Sequence, residues 1–306
     1  MTSQTGIQPV SLRLTRGRTL EWTSRPLVMG VLNLTPDSFS DGGRFPDPAS
    51  AVERGLEMLS EGADLLDLGA ESTRPGGGVY GDGAEAVTAS EEIRRLLPVL
   101  ELLRGHTDKP LSIDTRKAEV ARPALAAGGD LINDISSLGD DSMAQVVAEA
   151  GTPLVLMHSR GSLRTMQKRV QYDNVVREVR AELGVSADRA TASGIDRRQL
   201  VIDPGIGFGK TAAQNLELLA RLDEVNCLGL PLMVGASRKS FIGHVTGATV
   251  EARLAGSLAA VGWAARHRAA FVRVHDVGET VQFLRVWQSI DGLQTETLGE
   301  TRESAG

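Results

Sequence analysis

Short apolar runs alternate with stretches of helical periodicity along most of the chain. The apolar runs lie at 27–34, 64–69, 111–114, 131–135, 153–158, 200–203, 231–237 and 271–275. Apolar residues with helical spacing follow at 48–61, 90–104, 117–127, 141–150, 172–193, 211–222, 251–268 and 279–290. Strands that alternate with helices predict βαβ units, and hence an α/β fold around a parallel sheet.

Polar residues stand at or near the carboxyl end of every apolar run: Asn33, Asp67, Asp114, Asn133, His158, Asp203, Ser237 and His275. In an open doubly wound sheet these ends would spread along an edge. In a closed barrel they form one ring, which is where barrel enzymes place their active sites. The pattern therefore favours a TIM-type (β/α)8 barrel, with the open sheet as the alternative.

The barrel is predicted to span 27–291 as a single domain. Residues 1–26 are expected to form an N-terminal tail, with a short hairpin predicted at 10–22 over the floor of the barrel. The polar residues 292–306 are expected to form a flexible C-terminal tail.

Charge and cysteine content exclude some classes of partner. The 33 basic and 39 acidic residues give a net charge of −6, which disfavours nucleic acid and anionic membranes. The single cysteine, Cys227, cannot form an intrachain disulfide, and no apolar run reaches the length of a membrane span. We expect a cytoplasmic protein that binds small molecules.

Two long loops follow the first two strands, at 33–43 and 67–88. Both are rich in turn-forming residues and long for βα connections, which is typical of mobile active-site segments. Arg74, in the second loop, has a planar donor fork that suits a carboxylate, although an exposed salt bridge is the usual explanation for a lone arginine.

Two glycine-containing segments resemble well-known motifs but fail on spacing. A Walker A loop needs a glycine six positions before its lysine, and Pro204 occupies that position before Lys210. A nucleophile elbow needs a glycine two positions after its serine, and Lys239 occupies that position after Ser237. The sequence therefore disfavours a P-loop nucleotide site and a serine hydrolase.

The strand ends combine acids with a basic cluster. Asp114 and Asn133 would be partly desolvated at the mouth of a barrel, so each needs a partner from the protein or from a ligand. Arg273 and His275 share one face of their strand, where they suit a phosphate or diphosphate. These residues indicate a barrel enzyme whose substrate is anionic and also carries a donor-rich or cationic part. No zinc-binding motif is present in the sequence, and an oxygen-bound magnesium ion is compatible with this set.

Eight segments, in order from 29 to 277, resemble the dihydropteroate synthase family: MGVLNLTPDSFSDGG, GADLLDLGAESTRPGG, LSIDTRKAEVA, DLINDIS, LVLMHSRG, VIDPGIGFGKT, PLMVGASRKSFIG and VRVHDV. The resemblance implies a TIM-type barrel, usually a homodimer. It also implies condensation of a dihydropterin hydroxymethyl diphosphate with p-aminobenzoate, giving dihydropteroate and diphosphate with the help of Mg2+. Sulfonamides are then expected to compete with p-aminobenzoate.

The same resemblance assigns roles to residues of this chain. The pterin ring would be bound by Asp114, Asn133, Asp203 and Lys239. The diphosphate would be held by Asn33, Arg273 and His275, with Asn33 also on the metal. The p-aminobenzoate site would be shaped by Phe39, Thr73, Arg74, Pro75, Phe208, Ser237 and Arg238. The catalytic group would comprise Asp114, Lys239, Arg273 and His275.

Three positions depart from the commoner family forms, namely Ala70, Ser159 and Gln214. None of them removes a group with an assigned role, so they bear on affinity and not on activity. Two alternatives share the pterin-binding acids: a barrel that transfers a methyl group from methyltetrahydrofolate to a corrinoid, and a non-catalytic pterin-binding paralogue. The first should lack the diphosphate-binding residues, which are present here.

Overall fold

The computed structural model describes residues 10–22, 25–35, 47–71, 87–160 and 171–303. Two strands near the N-terminus, β1 (Val10–Arg13) and β2 (Thr19–Trp22), form an antiparallel hairpin where the sequence predicts one. Eight parallel strands follow: β3 (Leu27–Asn33), β4 (Leu65–Gly69), β5 (Leu111–Asp114), β6 (Leu131–Asp134), β7 (Leu154–Met157), β8 (Leu200–Asp203), β9 (Met233–Val234) and β10 (Phe271–Val274).

The eight parallel strands form a barrel, as predicted. Their order in the sheet is β8-β7-β6-β5-β4-β3-β10-β9. A parallel bridge between Ile202 and Leu232 joins the two ends, and the Ile202 amide donates to the Pro231 carbonyl at 2.9 Å. The strand ends therefore meet in one ring, and the open-sheet alternative is set aside.

The helices pack around the strands, with three departures from the prediction. They are α1 (Pro48–Ser60), α2 (Ala89–His106), α3 (Ala118–Ala126), α4 (Met143–Ala150), α5 (Val175–Ala192), α6 (Ala212–Ala220), α7 (Leu222–Asn226), α8 (Ser240–Thr246), α9 (Leu254–Arg266) and α10 (Val277–Glu303). Arg221 leaves the helical conformation and splits the helix predicted at 211–222 into α6 and α7. Helix α8 was not predicted, because it buries only Phe241 and Ile242 and is too short to show a period.

Helix α10 also runs past its predicted end at 290 and continues to Glu303. The predicted boundary between barrel and C-terminal tail, at 291, therefore lies inside α10. In the part of the chain that the structure describes, no helix combines the length and apolar composition needed to cross a membrane.

Side chains that point into the barrel change character from bottom to top. The inward residues nearest the amino ends of the strands are apolar: Met29, Leu65, Leu131, Val155, Val201, Met233 and Phe271. They pack with Leu12, Leu14, Leu20 and Trp22 of the hairpin segment, and we call this end the floor. Two residues further along each strand, the next inward positions include Asp67, Asn133, Asp203 and Arg273. This polar layer lies at the carboxyl ends of the strands, which we call the mouth.

Candidate active site

Arg273 connects the polar groups of the mouth into one buried network. Its Nε donates to Asp67 Oδ2 at 2.6 Å, and its Nη2 donates to Asp114 Oδ2 at 2.7 Å. Asp67 Oδ2 also accepts from Asn133 Nδ2 at 3.0 Å. Strands β4, β5, β6 and β10 thus bring together four side chains that are far apart in the sequence.

This network is only partly saturated. Burial raises the pKa of Asp114 to about 7, the charge of Arg273 opposes that rise, and Asp67 adds to it. Among the described residues, Asp67 Oδ1, Asn133 Oδ1 and Ser112 Oγ are buried without a hydrogen-bond partner. Because a buried polar atom without a partner costs free energy, these acceptors and this hydroxyl favour a ligand or an ordered water at the mouth.

Asp203 lies at the start of a tight loop that runs to Lys210. Its Oδ1 accepts from the Gly205 amide at 2.7 Å, and burial raises its pKa. Gly205, with a φ of 65°, has no room for a side chain, since a Cβ there would lie 1.9 Å from the His158 carbonyl oxygen. The glycine fixes this turn, which keeps Asp203 at the mouth beside β7.

Lys210 stabilises the same loop from inside. Its Nζ donates to the carbonyls of Gly205 at 3.0 Å and Phe208 at 2.9 Å, and lies 3.0 Å from His158 Nδ1. Lys210 is only 3% exposed, and burial lowers its pKa to about 7. The lysine that completes the apparent nucleotide motif therefore binds its own loop, in agreement with the sequence-based rejection of a P-loop.

Lys239 and Phe208 contact each other at the mouth. The Lys239 Nζ lies 4.0 Å from the centroid of the Phe208 ring. Burial, and after it the positive charge of Arg273, lower the pKa of Lys239 to about 8. Gly207 leaves room for the Lys239 side chain, since a Cβ at position 207 would lie 2.9 Å from Lys239 Cδ. This places an ammonium group and an aromatic face side by side at the mouth.

Ser237, Arg238 and His275 lie together after the ends of β9 and β10. The Ser237 Oγ lies 3.1 Å from His275 Nδ1 and accepts from the His275 amide at 3.2 Å. Burial, and after it the positive charge of Arg273, lower the pKa of His275 to about 4, so this imidazole is neutral at neutral pH. Arg238 pairs with Asp276, whose Oδ2 accepts from its Nε at 3.0 Å.

The two long loops lie mostly outside the described residues, and so do four predicted site residues: Phe39, Thr73, Arg74 and Pro75. The base of the second loop is described. There Glu71 Oε1 accepts from the Val87 amide at 3.0 Å, and its Oε2 lies 3.0 Å from the Lys117 ammonium. Glu71 therefore joins the residues on both sides of the undescribed segment 72–86.

Asn33 is the last residue of β3 and lies opposite Gly69 of β4. Its side chain is half-buried at the mouth. The described residues contain no group of three or more His, Cys, Asp or Glu side chains that could hold a metal ion. A single amide oxygen fits a weakly held magnesium ion that a phosphorylated substrate would complete, and it does not fit a structural metal site.

The structure adds functional residues to which the sequence assigned no role. Asp67 orients both Arg273 and Asn133, and Lys210 orients the loop after Asp203. Buried His158 contacts Lys210 and lies 3.0 Å from Glu182 through its Nε2. Asp67 stands in the predicted ring of polar strand ends, but the sequence gives no sign of its partners Arg273 and Asn133. The function of Lys210 has no such signal, because its partners are backbone carbonyls.

Comparison with known sequences covers the residues of the candidate site. The model of the pterin-binding enzyme family matches residues 29–275, a range that contains every candidate site residue from Asn33 to His275. The dihydropteroate synthase of Synechocystis sp. is 44% identical over 284 residues, which covers 88% of this chain and 92% of that protein.

Solved structures give the same result for the fold. Dihydropteroate synthase from Xanthomonas albilineans with 4-aminobenzoic acid has a TM-score of 0.85 at 47% identity, covering 93% of this chain and 99% of that one. Dihydropteroate synthase from Yersinia pestis in complex with a sulfonamide drug has a TM-score of 0.85 at 41% identity, covering 93% and 100%.

Proposed function

The chain belongs to the dihydropteroate synthases of the pterin-binding enzyme family, and we propose that the polar layer at the barrel mouth is its active site. The reaction condenses a dihydropterin hydroxymethyl diphosphate with p-aminobenzoate, giving dihydropteroate and diphosphate. The observation that carries the proposal is the buried network of Arg273, Asp67 and Asp114, with polar atoms left unpaired around it. Membership of the dihydropteroate synthases sets aside the methyl-transferring barrel considered above.

The pterin ring would occupy the inner part of the mouth. Asp114 and Asp203 would accept from its amino and ring N–H groups, and the unpaired Oδ1 of Asn133 supports a further acceptor role. Lys239 would donate to the carbonyl side of the ring, a role that its buried ammonium beside Phe208 supports. A ring held on its edges in this way presents its hydroxymethyl diphosphate arm toward the opening.

The diphosphate would lie against Arg273 and His275. Arg273 uses its Nε and Nη2 on carboxylates, so its remaining N–H groups would face the anion. Because His275 is neutral, it would contribute a hydrogen bond and not a positive charge. Asn33 would hold a magnesium ion together with the diphosphate oxygens, and this ion would neutralise negative charge on the leaving group.

The chemical step exchanges one bond for another at the pterin methylene carbon. The bond from this carbon to the diphosphate oxygen breaks, and the bonding pair leaves with the diphosphate. The arylamine nitrogen of p-aminobenzoate supplies the new pair and afterwards loses a proton. The carbon is cation-like in between, and the ionised Asp114 would stabilise that charge.

The p-aminobenzoate would bind further out, against Phe208, Ser237 and Arg238. Phe39, Thr73, Arg74 and Pro75 are proposed for the same pocket on the strength of the sequence resemblance. The arylamine needs positioning more than activation, because it is already a competent nucleophile. A sulfonamide has a similar flat arylamine and anionic head, so we propose that it competes for this pocket, as the sulfonamide complex of the Yersinia pestis relative suggests.

We also propose a homodimer and a cytoplasmic location. Several large apolar side chains are exposed on helices that pack on one another: Leu216, Val245, Trp263, Val286 and Ile290. An apolar face of this kind supports a two-fold interface. The free thiol of Cys227 is compatible with a reducing compartment.

Release of diphosphate that depends on p-aminobenzoate is the direct test of the proposed reaction. The purified protein would be mixed with the pterin diphosphate and Mg2+, with and without p-aminobenzoate. We expect dihydropteroate and diphosphate in equal amounts only when both substrates are present. Diphosphate release without p-aminobenzoate, or none at all, would contradict the proposal.

A further inference from the structure

The backbone of Arg238 is in a conformation that residues with a Cβ rarely adopt, with a φ of 54°. Its two neighbours in the chain serve different parts of the mouth. The Ser237 Oγ lies 3.1 Å from His275 Nδ1, whereas the Lys239 Nζ lies 4.0 Å from the Phe208 ring centroid. The geometry of one residue therefore decides where two proposed substrate-binding side chains lie.

Both peptide groups of Arg238 are held by the start of α9. Its amide donates to Ser257 Oγ at 2.9 Å, and its carbonyl accepts from Arg253 Nη1 at 3.1 Å. Ser257 and Arg253 are themselves connected, since the Ser257 hydroxyl donates to the Arg253 carbonyl at 2.9 Å. The side chains that hold Arg238 are both buried, at 5% exposure for Arg253 and 4% for Ser257.

The surroundings leave space for the Arg253 side chain. A Cβ on Gly243 would lie 2.4 Å from Arg253 Nη2, so a larger residue in α8 would displace the guanidinium. Arg253 Nε donates to the Ala248 carbonyl at 3.2 Å, which ties it to the segment after α8. A buried arginine whose donors go to backbone carbonyls in this way fixes chain conformation and does not form a surface ion pair.

We propose that Arg253 and Ser257 are positioning residues that hold Arg238 in its left-handed conformation, and that they thereby set the pterin-binding Lys239 and the Ser237–His275 pair at once. Neither residue touches the reacting atoms. The inference rests on the proposed roles of Ser237 and Lys239. It makes α9 a functional element, although the helix contributes no side chain to the mouth.

Two variants separate positioning from simple stabilisation. Ser257→Ala removes the acceptor of the Arg238 amide, and Arg253→Met removes the donor to its carbonyl while keeping an apolar stem. We expect each variant to weaken both pterin diphosphate and sulfonamide binding about tenfold by calorimetry, because both subsites move together. Ser257→Thr keeps the hydroxyl and should restore most of the affinity.

The matched control is Arg104→Met at the other end of the barrel. The Arg104 side chain is also buried and donates to backbone carbonyls, those of Gly128 and Thr107, and in addition it pairs with Asp130. It should lower the melting temperature but leave both affinities within about twofold, since it lies far from Arg238. Unchanged affinities in the Ser257→Ala and Arg253→Met variants, or an equal loss in the control, would overturn the proposal. If Arg253→Met fails to fold, Ser257→Ala and its threonine rescue decide the matter alone.

The proposed function is tested separately in the same series. Lys239→Ala removes a proposed pterin-binding group outright and should abolish pterin binding. If Lys239→Ala binds pterin normally, the assigned role of Lys239 is wrong. If it loses binding while Ser257→Ala does not, only the positioning role of α9 is wrong.

Discussion

The floor and the mouth of the barrel both bury carboxylates. The two ends differ in how many of the carboxylate oxygens accept hydrogen bonds from the protein. At the floor, Asp130 accepts from Thr15 Oγ1 at 2.7 Å, from the Leu111 amide at 2.9 Å, and from the guanidinium groups of Arg104 and Arg18. Each of its oxygens has two donors from the protein. This carboxylate has no capacity left for a ligand, so its function is structural.

At the mouth, the carboxylates are left with free capacity. Asp67 Oδ1 has no partner among the described residues, and the pKa of Asp114 is raised to about 7 by burial. A site built only for stability would saturate these groups, because unpaired buried polar atoms cost free energy. The comparison teaches that Asp67 and Asp130, which are equally buried carboxylates, differ in how completely the protein hydrogen-bonds them, and not in burial or charge alone.

The largest expected effect comes from removing the buried carboxylate of the floor. Asp130→Ala leaves Arg18 and Arg104 without their shared carboxylate and should lower the free energy of unfolding by about 3–5 kcal/mol. Urea denaturation measures this loss. The kcat of the molecules that remain folded should stay close to that of the wild type, since the mouth is untouched. A stable Asp130→Ala protein with reduced kcat would reverse the assignment of the two ends.

The next largest effect comes from removing the charge of a carboxylate at the mouth. Asp114→Asn keeps the shape of the side chain but removes the charge that stabilises the cation-like carbon. We expect normal folding and a loss of turnover on the order of 10²–10³, as for other preorganised electrostatic groups. Steady-state kinetics with a thermal melt measures both quantities. Turnover within about threefold of the wild type would show that Asp114 does not stabilise the reacting carbon.

The pH dependence of pterin binding sharpens the comparison. The pKa of Asp114 is raised in the folded protein, so its contribution to the stability of the unliganded protein is lost as the pH rises through about 7. Pterin binding changes in the opposite direction, because only the ionised form accepts from the ring. Affinity should therefore fall up to about tenfold per unit as the pH drops below 7. Asp114→Asn should lose this dependence, and an unchanged profile in that variant would assign it to another group.

The smallest expected effect concerns the outer pocket, the proposed p-aminobenzoate site beside Phe208, Ser237 and Arg238. A sulfonamide should raise the KM for p-aminobenzoate while leaving kcat unchanged, because both compounds occupy the same site. Its affinity should increase about tenfold, or ~1.4 kcal/mol, when pyrophosphate and Mg2+ are present. Calorimetry with and without these two components measures the difference. Equal affinity in both conditions would separate the outer pocket from the diphosphate site, although the reaction itself would be unaffected.

The sequence predicts the fold well because the barrel depends on local patterns. Alternating strands and helices indicate the parallel barrel, and polar strand ends such as Asp114 and Asp203 indicate its mouth. The role of Asp67 could not be predicted, since its partner Arg273 lies 206 residues away and ion pairs at that separation leave no local pattern. The same holds for the contact between Arg253 and Arg238, which depends on backbone conformation and not on residue type.

The most direct test of the central claim is to measure pterin diphosphate binding to a mouth variant and a floor variant together. Calorimetry would use the wild type, Asp114→Asn and Asp130→Asn, without p-aminobenzoate so that no turnover occurs. We predict that Asp130→Asn binds within about twofold of the wild type, while Asp114→Asn binds at least about tenfold more weakly. Equal affinities in all three proteins, or a greater loss in Asp130→Asn, would contradict the claim that the unsaturated carboxylates of the mouth bind the pterin.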